Sequence, residues 1–105
     1  MSSEIYTIEQ LKNMLTPVFK VYGVKRAVLF GSYGKGQARE NSDIDLLVDS
    51  KLRGLRFVGL IEDVRSIVDK DVDMFDISHV EEDSEIDDEI KKTGVLLYEE
   101  WRNNQ

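Results

Sequence analysis

The sequence is poor in several residue types: its 105 residues include no cysteine, one proline, one histidine and one tryptophan. The lack of cysteine excludes disulfide bonds and thiolate metal sites. A single proline argues against long disordered linkers, and no apolar run approaches the ~18 residues that a membrane-spanning helix needs. The opening segment MSSEIYTIEQ has no basic region followed by an apolar stretch, so no secretory signal is predicted. We therefore expect a soluble protein of the cytoplasm.

Basic residues are also in the minority, because fourteen lysines and arginines stand against twenty-one acids and give a formal net charge of -7. Such a charge repels nucleic acid and anionic membranes at long range, so neither direct nucleic-acid binding nor membrane contact is predicted. Apolar residues at 41% and charged residues at 33% are typical of globular proteins. We predict one domain over residues 1–105, a length that supports one hydrophobic core.

Hydrophobic spacing and capping residues predict the order helix, strand, short helix, strand, helix, strand, helix, which defines an α+β fold. The first helix begins after Thr7 in a capping box with Gln10, and Thr16-Pro17 either breaks it or lies within a continuous helix. Residues 95–101 form either an edge strand or a helix turn. The other predicted elements are strands over 24–30, 43–49 and 72–77, a helix over 57–68 and a helix start within 81–89.

A glycine-rich turn and two closely spaced acids occur together in the stretch GSYGKGQARENSDIDLLVD, residues 31–49. Gly31 and Ser32 follow a buried strand and precede a short helix, where backbone N–H groups can receive an anion. Glycine allows close approach of the backbone to a ligand, and the serine hydroxyl can donate to a phosphate oxygen. The segment is therefore either a phosphate-binding turn or an ordinary turn.

The two acids, Asp43 and Asp45, are predicted to share one face of a strand, about 6.5 to 7 Å apart. Close carboxylates raise each other's pKa unless a cation lies between them. Mg²⁺ is a suitable cation because it prefers carboxylates, water and phosphates. The alternative is a polar strand face in water, although aspartate is depleted in strands.

Taken together, Gly31-Ser32, ten intervening residues and Asp43-x-Asp45 resemble the signature of the DNA polymerase β-like nucleotidyltransferase superfamily. The wider segment LFGSYGKGQARENSDIDLLV is similar to the minimal nucleotidyltransferases of prokaryotes, the MNT proteins that act as antitoxins beside HEPN-domain toxins. The resemblance covers essentially the whole chain. It implies the polymerase β-like nucleotidyltransferase fold, a small mixed sheet flanked by helices.

The resemblance also implies a set of site residues. In the superfamily a third carboxylate on a neighbouring strand completes the metal site, and Asp73 corresponds to it by position. Two Mg²⁺ ions are implied at these acids, with ATP as the substrate. Asp71 and Asp76 are expected to be solvated, and Asp49 to end its strand. The implied catalytic and metal-binding residues are Asp43, Asp45 and Asp73, and the implied nucleotide-binding residues are Gly31, Ser32, Lys35 and Arg39.

One segment departs from the family pattern. Relatives often carry Ala-Arg-Gly after Gly-Ser-Tyr, whereas this chain has Gly34-Lys35-Gly36. Lysine lacks the bidentate fork of arginine, and the glycines are expected to weaken the helix that presents the phosphate site, so activity is expected to be modest. Arg39 is either a second phosphate contact or a surface residue of the loop.

Four further residues are given structural roles. Ser42 is expected to shape the turn into the second strand, and His79, the single histidine, is interpreted as a loop residue rather than a base. Tyr98 and Trp101 are expected to pack rather than to stack on a nucleobase.

The reaction implied by the resemblance is transfer of AMP from ATP to a protein hydroxyl, which in the MNT antitoxins is a tyrosine of the partner HEPN toxin, a ribonuclease. Three rival functions remain from the sequence. A non-catalytic antitoxin would neutralise its partner by binding alone. A transferase for a small molecule usually needs an added substrate domain, and a simple Mg²⁺ or Ca²⁺ binding protein would not need the Gly-Ser turn.

Overall fold

The computed structural model describes residues 2–100, which form four α-helices, one 3-10 turn and four strands. This order confirms the predicted succession of elements and adds a last strand, so the strand alternative for residues 95–99 is correct. Trp101 lies outside the described residues. The elements are α1 (Ile8–Tyr22), β1 (Arg26–Phe30), α2 (Gly31–Gly34), β2 (Ile44–Asp49), α3 (Leu55–Val68), β3 (Val72–Asp76), the 3-10 turn (Ile77–His79), α4 (Glu85–Thr93) and β4 (Val95–Glu99).

The four strands form one mixed sheet in the order β3-β2-β1-β4. β1 is antiparallel to both β2 and β4, whereas β2 and β3 are parallel and joined through α3. A parallel pair needs such a crossover, and the helix supplies it. The mixed sheet flanked by helices confirms the predicted α+β class. Between residues 2 and 100, no helix is both long enough and apolar enough to cross a membrane.

The hydrophobic core lies on one face of the sheet, beneath α1 and α3. Alternation along β2 shows which face this is: Ile44, Leu46 and Val48 are fully buried, while Asp45, Leu47 and Asp49 are half-buried. Burying one such aliphatic side chain stabilises the fold by about 1.5–3 kcal/mol. The acids of β2 therefore point away from the core. The helix residues that complete this core are Leu11, Leu15, Phe19, Leu60, Val64 and Val68.

Helix α1 is continuous through Pro17, so the alternative of a break at this residue is wrong. The capping box of Thr7 and Gln10 is present as predicted. The Thr16 hydroxyl donates to the Lys12 carbonyl at 2.6 Å in the turn before the proline. Core residues on both sides of Pro17 hold the helix together, because burial of an apolar face outweighs one missing backbone hydrogen bond.

Packing of Tyr98 also agrees with its prediction, since its ring centroid lies 5.3 Å from that of Phe19. No sequence pattern predicted, however, that Lys70 is buried; it is only 4% exposed. Its Nζ donates to the carbonyls of Ser2 at 3.1 Å and Glu40 at 2.8 Å. This ammonium therefore ties the amino-terminal segment to the loop that leads into β2.

Candidate active site

Two of the predicted acids face each other across neighbouring strands. Asp45 on β2 is in register with Asp73 on the parallel strand β3, and adjacent strands lie about 4.8 Å apart. Asp43 immediately precedes β2 and is exposed. Within residues 2–100, none of the three acids forms an ion pair with a basic side chain. The arrangement is a concentration of negative charge that the described part of the protein leaves uncompensated.

The surroundings of Asp45 change the pKa of its carboxyl group. Burial, together with the negative charges of Asp73, Glu89 and Asp43, raises the pKa of Asp45 to about 6. A cation bound here would favour the ionised form and reverse that shift. Oxygen donors alone surround the position, which suits Mg²⁺ rather than a softer metal. The acids present therefore fit a magnesium ion.

A second cluster of acids, at the start of α4, is more compact than the three predicted metal ligands and has a structural role. In the described residues, the carboxylate oxygens of Asp83, Asp87 and Asp88 all lie within 4.8 Å of one another, a clustering that the three predicted ligands do not share. Asp87 accepts the Asp83 N–H at 2.8 Å and forms an ion pair with Lys91 at 2.9 Å. These contacts cap and stabilise the start of α4, as does the N-cap Ser84, whose hydroxyl accepts the Asp87 N–H.

The Gly-Ser turn lies directly against the acid pair. Gly31 has a φ of +70°, and a Cβ built on it would overlap the Asp45 carboxylate. The Gly31 N–H donates to Thr93 Oγ1 at 2.9 Å, so this N–H is used by α4 rather than left for an anion. The Ser32 hydroxyl has no hydrogen-bond partner among residues 2–100. The Ser32 hydroxyl is therefore a hydrogen-bond donor of the turn that is available to a ligand.

The end of α4 also explains why residue 34 is a glycine. A Cβ at this position would overlap the Thr93 carbonyl oxygen, so only glycine allows α4 to end against the turn. Gly36 lies beyond α2, with a φ of +72° and no atom within 4 Å of a built Cβ. The expectation that both glycines weaken the helix is therefore wrong for Gly36, which lies outside it.

Lys35 and Arg39 lie in the exposed loop between α2 and β2. The Arg39 N–H donates to Ser42 Oγ at 2.8 Å, and the Ser42 N–H donates back to the Arg39 carbonyl at 3.0 Å. This pair of bonds confirms that Ser42 shapes the turn before Asp43. The structure thus brings Gly31, Ser32, Asp45 and Asp73 together and leaves the two cations on the flanking loop.

One acid lies in an environment opposite to the expected one. Asp71 is exposed as predicted, but Asp76 is only 4% exposed, so its predicted solvation is wrong. Burial by itself would raise the pKa of Asp76, but hydrogen bonds from Ser50 and Ser78 hold it below its ordinary value. Each serine donates its N–H and its hydroxyl, at 2.6–3.1 Å. One feature of the sequence indicates this environment: Ser78 follows Asp76 by two residues, the spacing at which an aspartate accepts a backbone N–H in an Asx turn.

A family model matches the sequence along nearly its whole length, and two curated proteins match about two thirds of it. The family model for polymerase beta nucleotidyltransferases matches residues 9–103. The chain is 36% identical over 69 residues to the putative protein adenylyltransferase MJ0435 of Methanocaldococcus jannaschii, which spans 64% of this chain and 74% of that protein. It is 35% identical over 74 residues to the protein adenylyltransferase MntA of Thermococcus cleftensis, which spans 65% of this chain and 75% of that protein.

Solved structures share the fold. A chain in a crystal structure of a toxin-antitoxin with AMP-PNP superposes with a TM-score of 0.71 at 25% identity, over 85% of this chain and 73% of that chain. A chain from the complex of a tri-AMPylated Shewanella oneidensis HEPN toxin with its MNT antitoxin gives a TM-score of 0.67 at 20% identity, over 90% of this chain and 74% of that chain. With its acids, its Gly-Ser turn and its family match, the chain belongs to the polymerase beta nucleotidyltransferase family.

Proposed function

We propose that this chain is a Mg²⁺-dependent protein adenylyltransferase that acts as an antitoxin, transferring AMP from ATP to a tyrosine hydroxyl of a HEPN-domain toxin. Both relatives carry the name protein adenylyltransferase. The similar structures are toxin-antitoxin complexes, one with AMP-PNP and one with an AMPylated HEPN toxin. We further propose that the chain is one minimal nucleotidyltransferase domain that works in the cytoplasm, where ATP is available.

The observation that carries this proposal is the contact between Gly31 and Asp45, opposite Asp73. The contact joins the turn proposed to hold phosphate to the acids proposed to hold metal, so both belong to one site. A triphosphate beside uncompensated carboxylates would be repelled unless divalent cations lay between them. A nucleotide bound with Mg²⁺ satisfies both halves of the site.

Each residue has a proposed role in the reaction. Ser32 and its turn would hold the β- and γ-phosphates, with Lys35 and Arg39 as flanking phosphate contacts. Asp43 and Asp45 would hold one Mg²⁺ ion, and Asp73 would share a second. When bound, Mg²⁺ stabilises the attacking and leaving oxygens and lowers the pKa of the acceptor hydroxyl.

The proposed reaction is an in-line displacement at phosphorus. The acceptor oxygen forms its bond to the α-phosphorus as the bond to pyrophosphate breaks, and the hydroxyl proton is released. The chain's own residues fix the triphosphate on the side of the Gly-Ser turn. They leave the exposed side of Asp73 for the acceptor to approach.

The test is to incubate the chain with Mg²⁺, ATP and the HEPN-domain protein encoded beside it, and then to measure the intact mass of that partner. We expect a gain of one or more AMP groups, located on tyrosine by peptide mapping. The Asp43→Ala Asp45→Ala variant should give no gain. Absence of transfer by the wild-type chain, with toxicity still neutralised by the variant, would instead assign neutralisation by binding alone.

A further inference from the structure

A groove of about 820 Å³ lies at the carboxyl ends of β2 and β3. It lies away from the acid pair: Asp49, on its wall, is about 13 Å along β2 from Asp45 at ~3.3 Å per residue. Its apolar lining comes from Leu52, Phe57 and Ile77, the last 47% exposed. The site described above therefore does not account for it.

The walls of this groove are held in fixed positions. One wall is the loop after β2 and the other is the 3-10 turn after β3, and the buried Asp76 accepts hydrogen bonds from Ser50 in the first and Ser78 in the second. Lys51 is held at a φ of +58°, in the left-handed region that residues other than glycine rarely adopt. The groove is thus preorganised, which lowers the ordering cost of binding a partner.

The exposed charged side chains of the groove are basic. The sequence carries a net charge of -7, yet residues 50–61 contain three basic residues and no acid. Two of these, Lys51 and Arg53, line the groove and are exposed, and His79 lies beside them. Of the two acids on the walls, Asp76 is buried and hydrogen-bonded, and Asp49 is half-buried opposite Arg26 in the sheet register. The exposed basic side chains would attract an acidic partner segment to this groove.

We propose that this groove is the docking site for an acidic segment, carrying apolar side chains, of the protein that receives AMP. The inference rests on the proposed function and adds to it where the acceptor protein is held. A segment seated in the groove lies about four extended residues from the acid pair. The acceptor hydroxyl can then reach Asp73 while the docked segment stays in place. Phe75, half-buried on the same strand face as Asp73, lies between the two sites.

The test is binding of the neighbouring HEPN-domain protein without ATP, by calorimetry, for the wild-type chain and two double variants. Lys51→Glu Arg53→Glu should weaken binding at least tenfold and most at low salt. Lys12→Glu Lys20→Glu makes the same charge change on α1 and should bind within about threefold of wild type, a difference well under ~1.4 kcal/mol. Ile77→Ser, which leaves the charge unchanged, should also weaken binding.

The outcomes separate this inference from the proposed function. Equal affinities for the two charge variants would overturn the docking site, while AMP transfer by both would leave the proposed function intact. A wild-type chain that transfers no AMP but binds through the groove would overturn the activity alone, and one that does not bind would overturn the docking site. A wild-type dimer that Lys51→Glu Arg53→Glu dissociates in sedimentation would show that a second copy occupies the groove, which also overturns it.

Discussion

Alanine substitutions at Gly31 and Gly36, two glycines with the same backbone conformation, separate two effects. One is the cost of a positive φ, and the other is the overlap of a new Cβ with the Asp45 carboxylate. Gly31 and Gly36 have φ values of +70° and +72°, so alanine at either position costs about 1–2 kcal/mol in the left-handed region. At Gly36 nothing lies within 4 Å of the new Cβ, and the loss should stop there. At Gly31 the Cβ overlaps the Asp45 carboxylate, which adds about 1–3 kcal/mol of overpacking.

Two assays measure the effects of these substitutions, one on stability and one on AMP transfer. Urea unfolding without metal should show that Gly31→Ala lowers the free energy of unfolding by at least ~1 kcal/mol more than Gly36→Ala. AMP transfer to the partner should fall more than tenfold for Gly31→Ala, because the Asp45 carboxylate is displaced from its position opposite Asp73, and should stay near wild type for Gly36→Ala. Equal urea midpoints, or full transfer by Gly31→Ala, would refute the contact between the turn and the acids.

Substitutions at three further positions test separate parts of the molecule. In the folded chain burial and the neighbouring carboxylates raise the pKa of Asp45 from 3.8 to about 6, so stability should fall as pH rises from about 4 to 6. Asp45→Asn should therefore stabilise the metal-free protein at pH 7.5 by at most about 1 kcal/mol after solvent screening, and a lower melting temperature would contradict this. Asp76→Asn should lower the free energy of unfolding by about 1–3 kcal/mol, because each carboxylate oxygen accepts a backbone N–H and an amide has one oxygen; an unchanged urea midpoint would count against it. Thr93→Val should raise the KM for ATP and Thr93→Ser should restore it, since the hydroxyl accepts the Gly31 N–H; equal KM values for both would exclude that role.

Features set by local sequence could be predicted. The capping box at Thr7, the buried strand before Gly31 and the alternation around Asp45 each depend on residues a few positions apart. Period and capping chemistry are local properties, so they can be recognised without the fold. The same holds for Ser42, whose bonds to Arg39 span three residues.

Features set by distant contacts could not be predicted. Asp76 is buried because Ser50, far away in the chain, supplies two of its hydrogen bonds. Gly34 is required by the Thr93 carbonyl, which only the position of α4 brings near. Pro17 lies within a helix because the core holds both halves together. In each case tertiary packing outweighs a local preference, and one sequence does not reveal the partner.

The buried ammonium of Lys70 makes the amino-terminal segment part of the loop that carries Arg39. Its two carbonyl partners, Ser2 and Glu40, are held by the same ammonium, so moving one changes the geometry of the other. A purification tag fused before Ser2 that pulls this segment away would leave a buried donor unsatisfied and loosen the loop that carries Arg39. Tag placement is therefore a variable in any measurement of ATP affinity, and a carboxyl-terminal tag leaves this anchor untouched.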